Sequence, residues 1–187
     1  MNGTEKKLIL VVCWGNIFRS PIAEILINRE LDNRKLGDEY YCLSRGIQGS
    51  ADVPSPQHSN LQNYVEFYSK VYAKLSELCI MEELCKHQSR PVTQNIIQSA
   101  YIIVAMGQDC IYGENTLEKP ENAGLISQFS GISEKIVLLS IDDPHTEEST
   151  SEPSQLIEII FFKVQRLIQK LDSLSTLSIN IQGLREV

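Results

Sequence analysis

The sequence lacks the features of a membrane protein, a disulfide-rich protein or a nucleic-acid-binding protein. Its 187 residues contain no apolar run long enough to span a bilayer. The five cysteines are odd in number and include no Cys-x-x-Cys pair, so neither a disulfide framework nor a zinc ribbon is indicated. The 17 Lys and Arg residues are scattered and are outnumbered by 24 Asp and Glu residues, giving a formal net charge of -7. This balance disfavours nucleic acid and anionic membranes as partners, and it leaves any phosphate affinity to a local positive site.

Domain organisation and compartment follow from length and from the N-terminal residues. A chain of 187 residues that is 42% hydrophobic suits one globular domain over 1–187, with a core at about 7–172 and a tail at 173–187. Residues 1–7 lead into only a short apolar run and show no small-residue cleavage site. We therefore expect a cytoplasmic protein.

Alternating strand and helix patterns predict an α/β fold. Short apolar runs indicate strands at 8–13, 40–43, 101–106 and 135–140, and a turn is expected at 44–46. Helical spacing predicts a helix that starts at Ser20 or Pro21, one continuous long helix from 59 to about 85, and a closing helix at 156–171. With right-handed crossovers, these elements predict a single-domain three-layer α/β/α fold with a four-stranded parallel sheet and flanking helices.

A candidate anion site lies between the first strand and the first helix. Cys13 ends the strand, Arg19 follows six positions later, and Ser20 with Pro21 reads as an N-cap with proline at the first helical position. Ligands of open α/β sheets bind beyond the carboxyl ends of the strands, where helix N-termini attract anions. That field and Arg19 favour the thiolate of Cys13, and the Ser20 hydroxyl is placed to hydrogen-bond the sulfur.

The intervening residues suit a loop that curls around a phosphate through its backbone N–H groups. Gly15 permits close approach, Asn16 tolerates a positive φ, and Arg19 offers a planar fork to two phosphate oxygens. A Cys-x5-Arg spacing arises by chance in about one such chain in five, but here it ends a buried strand and runs into a helix start. The predicted phosphate-binding residues are Trp14, Gly15, Asn16, Ile17, Phe18 and Ser20, in addition to Arg19.

The run from Val12 through Cys13, Gly15, Asn16 and Arg19 to Ser20-Pro21 resembles the active-site loop of the low-molecular-weight protein tyrosine phosphatase family. Other segments that resemble the family are Ser44-Arg45-Gly46 after strand two, His87 to Thr93 before strand three, and Asp143-Pro144 after strand four. The resemblance implies a four-stranded parallel sheet with flanking helices, which agrees with the pattern of strands and helices.

The resemblance also implies a reaction. Cys13 would attack phosphotyrosine or a related phosphate monoester of a protein or small molecule and form a phosphocysteine, while Asp143 acts as general acid and then base. The local competitor for that role is Asp142, but the family's acid directly precedes the proline. Arg19 and the loop amides would supply the positive charge, so no metal or other cofactor is expected. By resemblance, Ser44 and His87 brace the loop together with Asn16 and Ser20.

Three departures from the family pattern bear on function. Phe18 stands where the family commonly has a second cysteine, so a protective disulfide with Cys13 is not expected. His145 and Thr146 stand where the family usually has aromatic residues that wall the pocket, leaving Trp14 as the one candidate wall. Met106-Gly107 replaces a common Met-Asp pair, so we expect one acidic residue beside the loop arginine to be absent.

Two other functions remain open. Arsenate reductases of the same fold use the same loop and two further cysteines that fall at and after strand three. This chain has Met106 and only Cys110 there, and Cys79 and Cys85 lie earlier, so a reductase is disfavoured. The second alternative is a module that recognises phosphorylated partners without turning them over. The presence of both the cysteine and the acid disfavours it, whereas the missing aromatic wall favours it.

Overall fold

Four parallel strands form one sheet at the centre of the computed structural model, which describes residues 5–47, 60–113, 123–144 and 152–177. The order across the sheet is β2-β1-β3-β4, and every neighbouring pair is parallel. This confirms the predicted fold class. The strands are β1 Lys7–Cys13, β2 Tyr40–Gly46, β3 Ala100–Ala105 and β4 Ile136–Leu138.

Seven helices in the described part of the chain pack around this sheet. Helix α1 contacts β1, β2 and α7, while α4 contacts β1 and β3, and α5 contacts β3. None of them is long and apolar enough to cross a membrane. The helices are α1 Arg19–Asn33, α2 Val65–Glu77, α3 Met81–Lys86, α4 Gln94–Ser99, α5 Gln108–Tyr112, α6 Leu125–Gln128 and α7 Pro153–Leu177.

The central strands read as continuous apolar runs because helices cover both faces of the sheet. Every residue of β1 after Lys7 is buried, and β3 is buried except for the partly exposed Tyr101. Helix α1 presents Ile22, Ile27 and Leu31 to this core, each with an exposed fraction of 1% or less. The first strand and the helix after it are therefore anchored firmly on either side of the loop that joins them.

The chain after β4 continues to follow β3 toward the carboxyl edge of the sheet. The Leu139 amide donates to the Ala105 carbonyl at 2.9 Å, and the Ile141 amide donates to the Met106 carbonyl at 2.6 Å. The regular strand is shorter than the predicted 135–140, because residue 135 closes a 3-10 turn and Ser140 has a φ of 51°. This extension delivers residues 142–144 to the edge where β1 ends.

The prediction of one continuous helix over 59–85 is wrong. Helix α2 ends at Glu77, α3 begins at Met81, and Cys79 between them has a φ of 55°. The side chain of Arg29 on α1 stabilises this break by donating to the carbonyls of Leu78 at 2.8 Å and Cys79 at 2.5 Å. Helical periodicity continues across the break because α2 and α3 both present apolar residues to the core. Residue 59 lies outside the described residues.

Two further boundaries differ from the prediction. Residues 44–46 belong to β2 rather than to a turn, because Gly46 pairs with Cys13 on one side and forms an isolated parallel bridge with Pro91 on the other. Helix α1 begins at Arg19, so Ser20 is not its N-cap and Pro21 is its third residue. Pro21 still removes only an N–H group that has no acceptor within the helix. The closing helix runs from Pro153 to Leu177, beyond the predicted 156–171.

Candidate active site

The predicted loop joins the last residue of β1 to the first residue of α1 at the carboxyl edge of the sheet. Cys13 is buried, with an exposed fraction of 3%, and Arg19 is buried to the same degree. Asn16, midway between them, has a φ of 53°, as its tolerance of the left-handed region suggested. Gly46 allows the loop to lie against β2, since a Cβ there would come 2.8 Å from the Trp14 carbonyl oxygen.

Asn16 is fully buried and holds the loop through both its side chain and its backbone. Its Nδ2 donates to Ser20 Oγ at 3.0 Å and to Ser44 Oγ at 2.8 Å. Its Oδ1 accepts from the Arg90 amide at 3.0 Å. The Asn16 carbonyl oxygen lies 2.9 Å from His87 Nε2, which must donate because a carbonyl oxygen only accepts. The structure thus brings the predicted supporting residues Ser44 and His87 to one loop residue.

His87 is suited to this role because its lowered pKa favours the neutral form at pH 7. Burial lowers the pKa of His87, and although its hydrogen bond to Asn16 opposes that shift, the charges of Arg45 and Arg90 reinforce it. A neutral imidazole with its proton on Nε2 can donate to the loop without adding a charge.

Glu24 belongs to the same network, and the sequence analysis missed it. Its Oε2 accepts from the Ser44 amide at 2.9 Å and from Ser44 Oγ at 2.5 Å. Ser44 Oγ therefore donates to Glu24 while it accepts from Asn16, which fixes the direction of the hydrogen bonds. No local pattern signals this contact, because α1 and β2 meet only in the folded chain.

Cys13 and Ser20 form the expected contact, with Cys13 Sγ 2.9 Å from Ser20 Oγ. Backbone donors are also available here. Within the described part of the chain, no hydrogen-bond acceptor is found for the N–H groups of residues 14–18, which lie between β1 and α1. Unpaired amides of a loop at a helix N-terminus can together bind one anion.

Arg19 is held rigidly beneath this loop. Its NH1 donates to the Ile141 carbonyl at 3.0 Å, and its NH2 contacts Asp109 Oδ2 at 3.3 Å and forms an ion pair with Asp143. Burial alone would lower the pKa of the Arg19 guanidinium, but the charges around it, that of Cys13 first, raise it instead. A permanent positive charge therefore lies at the base of the site.

Asp143 and its neighbour Asp142 are separated by their surroundings. Asp143 reaches Arg19 and its side chain is only 18% exposed, whereas Asp142 is exposed to solvent. Asp143 is therefore the one of the two aspartates that the structure places against Arg19.

The expectation that an acidic residue would be missing beside Arg19 is wrong, because Asp109 occupies that place. Gly107 leaves room for the Asp109 carboxylate. A Cβ at position 107 would lie 2.0 Å from Asp109 Oδ1 and 3.3 Å from Arg19 NH1. The adjacent Cys110 is fully buried, and its Sγ lies 3.6 Å from Asp109 Oδ2. Burial raises the pKa of Cys110, so it is a neutral thiol that can donate to this carboxylate.

The remaining loop residues differ in exposure. Phe18 is 5% exposed, and its ring packs edge-to-face against Phe67 of α2, with ring centroids 4.9 Å apart. Trp14, Gly15 and Ile17 are half-buried, so they border the open side of the loop. The predictions about residues 145 and 146 fall outside the described residues. Among the described residues no group of three or more His, Cys, Asp or Glu side chains is arranged to hold a metal ion.

Comparison with known families agrees with this geometry. The sequence profile of the family described as "Low molecular weight phosphotyrosine protein phosphatase" matches residues 8–176. The chain therefore belongs to the low molecular weight protein tyrosine phosphatase family. Comparison with curated protein sequences gives no match.

Solved structures share the fold. A YwlE mutant from Bacillus subtilis is 22% identical with a TM-score of 0.61, covering 89% of this chain and 99% of its own. The YwlE arginine phosphatase from Geobacillus stearothermophilus is 20% identical with a TM-score of 0.62, covering 93% and 98%. The low molecular weight protein tyrosine phosphatase from T. tengcongensis is 19% identical with a TM-score of 0.58, covering 88% and 99%.

Proposed function

We propose that this phosphatase hydrolyses phosphotyrosine or related phosphate monoesters, without a metal, through a phosphocysteine at Cys13. The observation that carries the proposal is the convergence of Cys13 and Arg19, at the two ends of one loop, with Asp143, more than 120 residues later in the chain, at one edge of the sheet. A nucleophile, a fixed cation and a carboxyl group are the groups that such a displacement requires.

Phosphate binding would use the loop and Arg19. The N–H groups of residues 14–18 and the guanidinium of Arg19 donate to the phosphoryl oxygens, and the charge they supply takes the place of a metal ion. Arg19 now pairs with Asp143, so an incoming phosphate competes with that carboxylate for the guanidinium. Substrate binding would thus release Asp143 from the arginine and free it to act on the leaving group.

The chemical steps would proceed on opposite sides of the phosphorus. Cys13 Sγ attacks in line while the bond from phosphorus to the leaving oxygen breaks, and Asp143 gives its proton to that oxygen. Asp143 then takes a proton from a water molecule, which attacks the phosphocysteine and releases phosphate and the thiolate. The Ser20 hydroxyl, 2.9 Å from the sulfur, donates to the thiolate as it leaves.

The substrate and the compartment are proposed on separate grounds. Family membership favours a phosphorylated protein or a small phosphate monoester as substrate, and no cofactor or nucleic acid enters the proposed reaction. One structural neighbour is described as an arginine phosphatase, so phosphoarginine is the natural comparison substrate. All five cysteines are unpaired, which suits a reducing compartment such as the cytoplasm.

The test is hydrolysis of p-nitrophenyl phosphate at mildly acidic pH in the presence of a chelator. Wild type should turn over and be inhibited by orthovanadate, whereas Cys13→Ser should be inactive with its fold intact. Asp143→Asn should lose far more activity than the matched control Asp142→Asn. Equal losses in these two variants would contradict the assignment of the acid. Phosphotyrosine and phosphoarginine peptides compared in parallel would then identify the substrate class.

Lack of turnover would indicate the second candidate, a module that recognises phosphate without hydrolysing it. In that case vanadate or inorganic phosphate would still bind to the loop, as measured by calorimetry, and Arg19→Ala would abolish the binding. Turnover that survives Cys13→Ser would contradict both candidates.

A further inference from the structure

Two arginines lie side by side on neighbouring segments next to the catalytic loop. The isolated parallel bridge between Gly46 and Pro91 is made by the Gly46 amide donating to the Arg90 carbonyl, and by the Val92 amide donating to the Gly46 carbonyl, each at 2.8 Å. The residues that precede the two bridge partners are Arg45 and Arg90, so they are neighbours across this bridge. Paired residues of parallel strands project from the same face of a sheet.

No described acidic residue forms an ion pair with either arginine. Arg45 is half-buried, and its NH1 donates to the carbonyl oxygen of the adjacent Ser44 at 2.6 Å. Glu24 is the acid whose charge acts on Arg45, but its carboxylate already accepts from the amide and hydroxyl of Ser44. Burial lowers the pKa of Arg45, and the positive charge of Arg90 lowers it further.

A pair of arginines without an ion-pair partner among the described residues is unusual in this chain. Like charges opposite each other on neighbouring strands destabilise a fold, and this chain has a formal net charge of -7. Acidic partners are thus abundant in the sequence, yet none of those described pairs with the two arginines. An anion that binds to the pair would remove the repulsion, and planar guanidinium groups suit both carboxylate and phosphate.

The backbone fixes the pair against the active-site loop. The Arg90 amide donates to Asn16 Oδ1 at 3.0 Å, and a Cβ on Gly46, next to Arg45, would meet the Trp14 carbonyl oxygen at 2.8 Å. The backbone of Arg90 therefore contacts the loop directly, and Arg45 is adjacent to a residue that does. Arg90 is exposed, so its side chain is open to solvent beside the loop.

We propose that Arg45 and Arg90 form a second anion subsite, which binds a further negative group on the phosphorylated substrate. That group is a carboxylate or a second phosphate close to the phosphorylated residue. The inference rests on the proposed function, because it assigns a substrate class to the same active site. It predicts that this acidic protein prefers acidic phosphopeptides, against the repulsion of its overall charge.

The experiment compares three phosphotyrosine peptides that differ at one neighbouring position, which holds glutamine, glutamate or phosphoserine. The readout is the ratio of kcat/KM for each acidic peptide to that for the glutamine peptide, measured within each variant, so a general loss of activity cancels. In wild type we expect a ratio of about three or more at low salt, falling as salt screens the contact. Arg45→Gln and Arg90→Gln should each lower the ratio, and the double variant should bring it to about one.

Lys35→Gln is the matched control. It removes one positive charge just beyond the C-terminal end of α1, about 20 Å from the loop, and should leave the ratio unchanged. A preference for glutamate would identify an acidic side chain as the second group, and a preference confined to phosphoserine would identify a second phosphate. If wild type gave a ratio of one for both acidic peptides, the subsite would be overturned. The same conclusion would follow if Arg45→Gln and Arg90→Gln both kept the wild-type ratio. p-Nitrophenyl phosphate carries no second anion, so its turnover tests the proposed function separately.

Discussion

Asn16→Ala is the substitution that tests the architecture of the loop most severely. The change removes three side-chain hydrogen bonds, to Ser20, Ser44 and the Arg90 amide. At about 1 kcal/mol for each bond, their loss costs about 3 kcal/mol of folding free energy. Alanine at a φ of 53° adds about 1 kcal/mol of backbone strain. We therefore expect Asn16→Ala to lower the free energy of unfolding by about 4 kcal/mol.

Asn16→Gly separates the two contributions. Glycine loses the same hydrogen bonds but accepts the positive φ, so it should be less destabilising than alanine by about 1 kcal/mol. Asn33→Ala is the matched control, because Asn33 is the exposed last residue of helix α1, far from the loop, and should change stability by less than about 0.5 kcal/mol. Trp14 is the only tryptophan of the chain and lies two residues from the substitution, so its fluorescence reports on the loop directly.

The assay is urea denaturation followed by this fluorescence, with turnover of p-nitrophenyl phosphate measured on the same samples. Both Asn16 variants should also lose activity, because the loop amides no longer hold one geometry. Asn16→Ala with near wild-type stability and turnover would refute the account of Asn16 as the residue that holds the loop. Equal stability of the alanine and glycine variants would refute the strain argument alone.

Three further predictions follow from the contacts of the site. Gly107→Ala should displace the Asp109 carboxylate from Arg19 and lower kcat/KM about tenfold, a loss of about 1.4 kcal/mol of transition-state stabilisation; an unchanged kcat/KM would contradict the need for glycine. Asp143→Asn should bind orthovanadate more tightly while turning over more slowly, because it removes a competitor for Arg19; weaker binding would oppose this reasoning. The folded state lowers the pKa of His87 below its ordinary value of 6.5. Neutral His87 therefore contributes its full share of folding stability above pH 6.5, and this contribution should be lost as the pH falls through the folded pKa. Urea midpoints measured against pH should show a smaller loss in His87→Gln, and parallel curves would exclude the effect.

Much of the fold was predictable because it depends on local pattern. A run such as β1, buried on both faces, is apolar throughout, and the helix after it has a buried apolar side. The loop was predictable for a similar reason, since Cys13, Asn16, Arg19 and Ser20 lie within a few residues of one another. Strand order beyond the parallel arrangement required the three-dimensional structure.

The remaining features depend on contacts between distant residues. The break at Cys79 is stabilised by Arg29, which lies 50 residues earlier in the chain. Asp109 could not be matched to its role by position, because it reaches Arg19 from two residues beyond Gly107 and only where the glycine leaves room. Ser20 was predicted as a helix cap, but α1 begins one residue earlier, at Arg19. The Ser20 hydroxyl makes the predicted contact with the Cys13 sulfur and a further one with Asn16.

Detection of the covalent intermediate tests the central claim most directly. Wild-type protein would be mixed with p-nitrophenyl phosphate in the presence of a chelator, quenched rapidly in acid and digested for mass spectrometry. The account predicts a phosphoryl group on the peptide that contains Cys13, and its absence from the Cys13→Ser protein under the same conditions. Turnover with no phosphoryl group on Cys13, or with phosphate on another residue, would contradict the proposed mechanism.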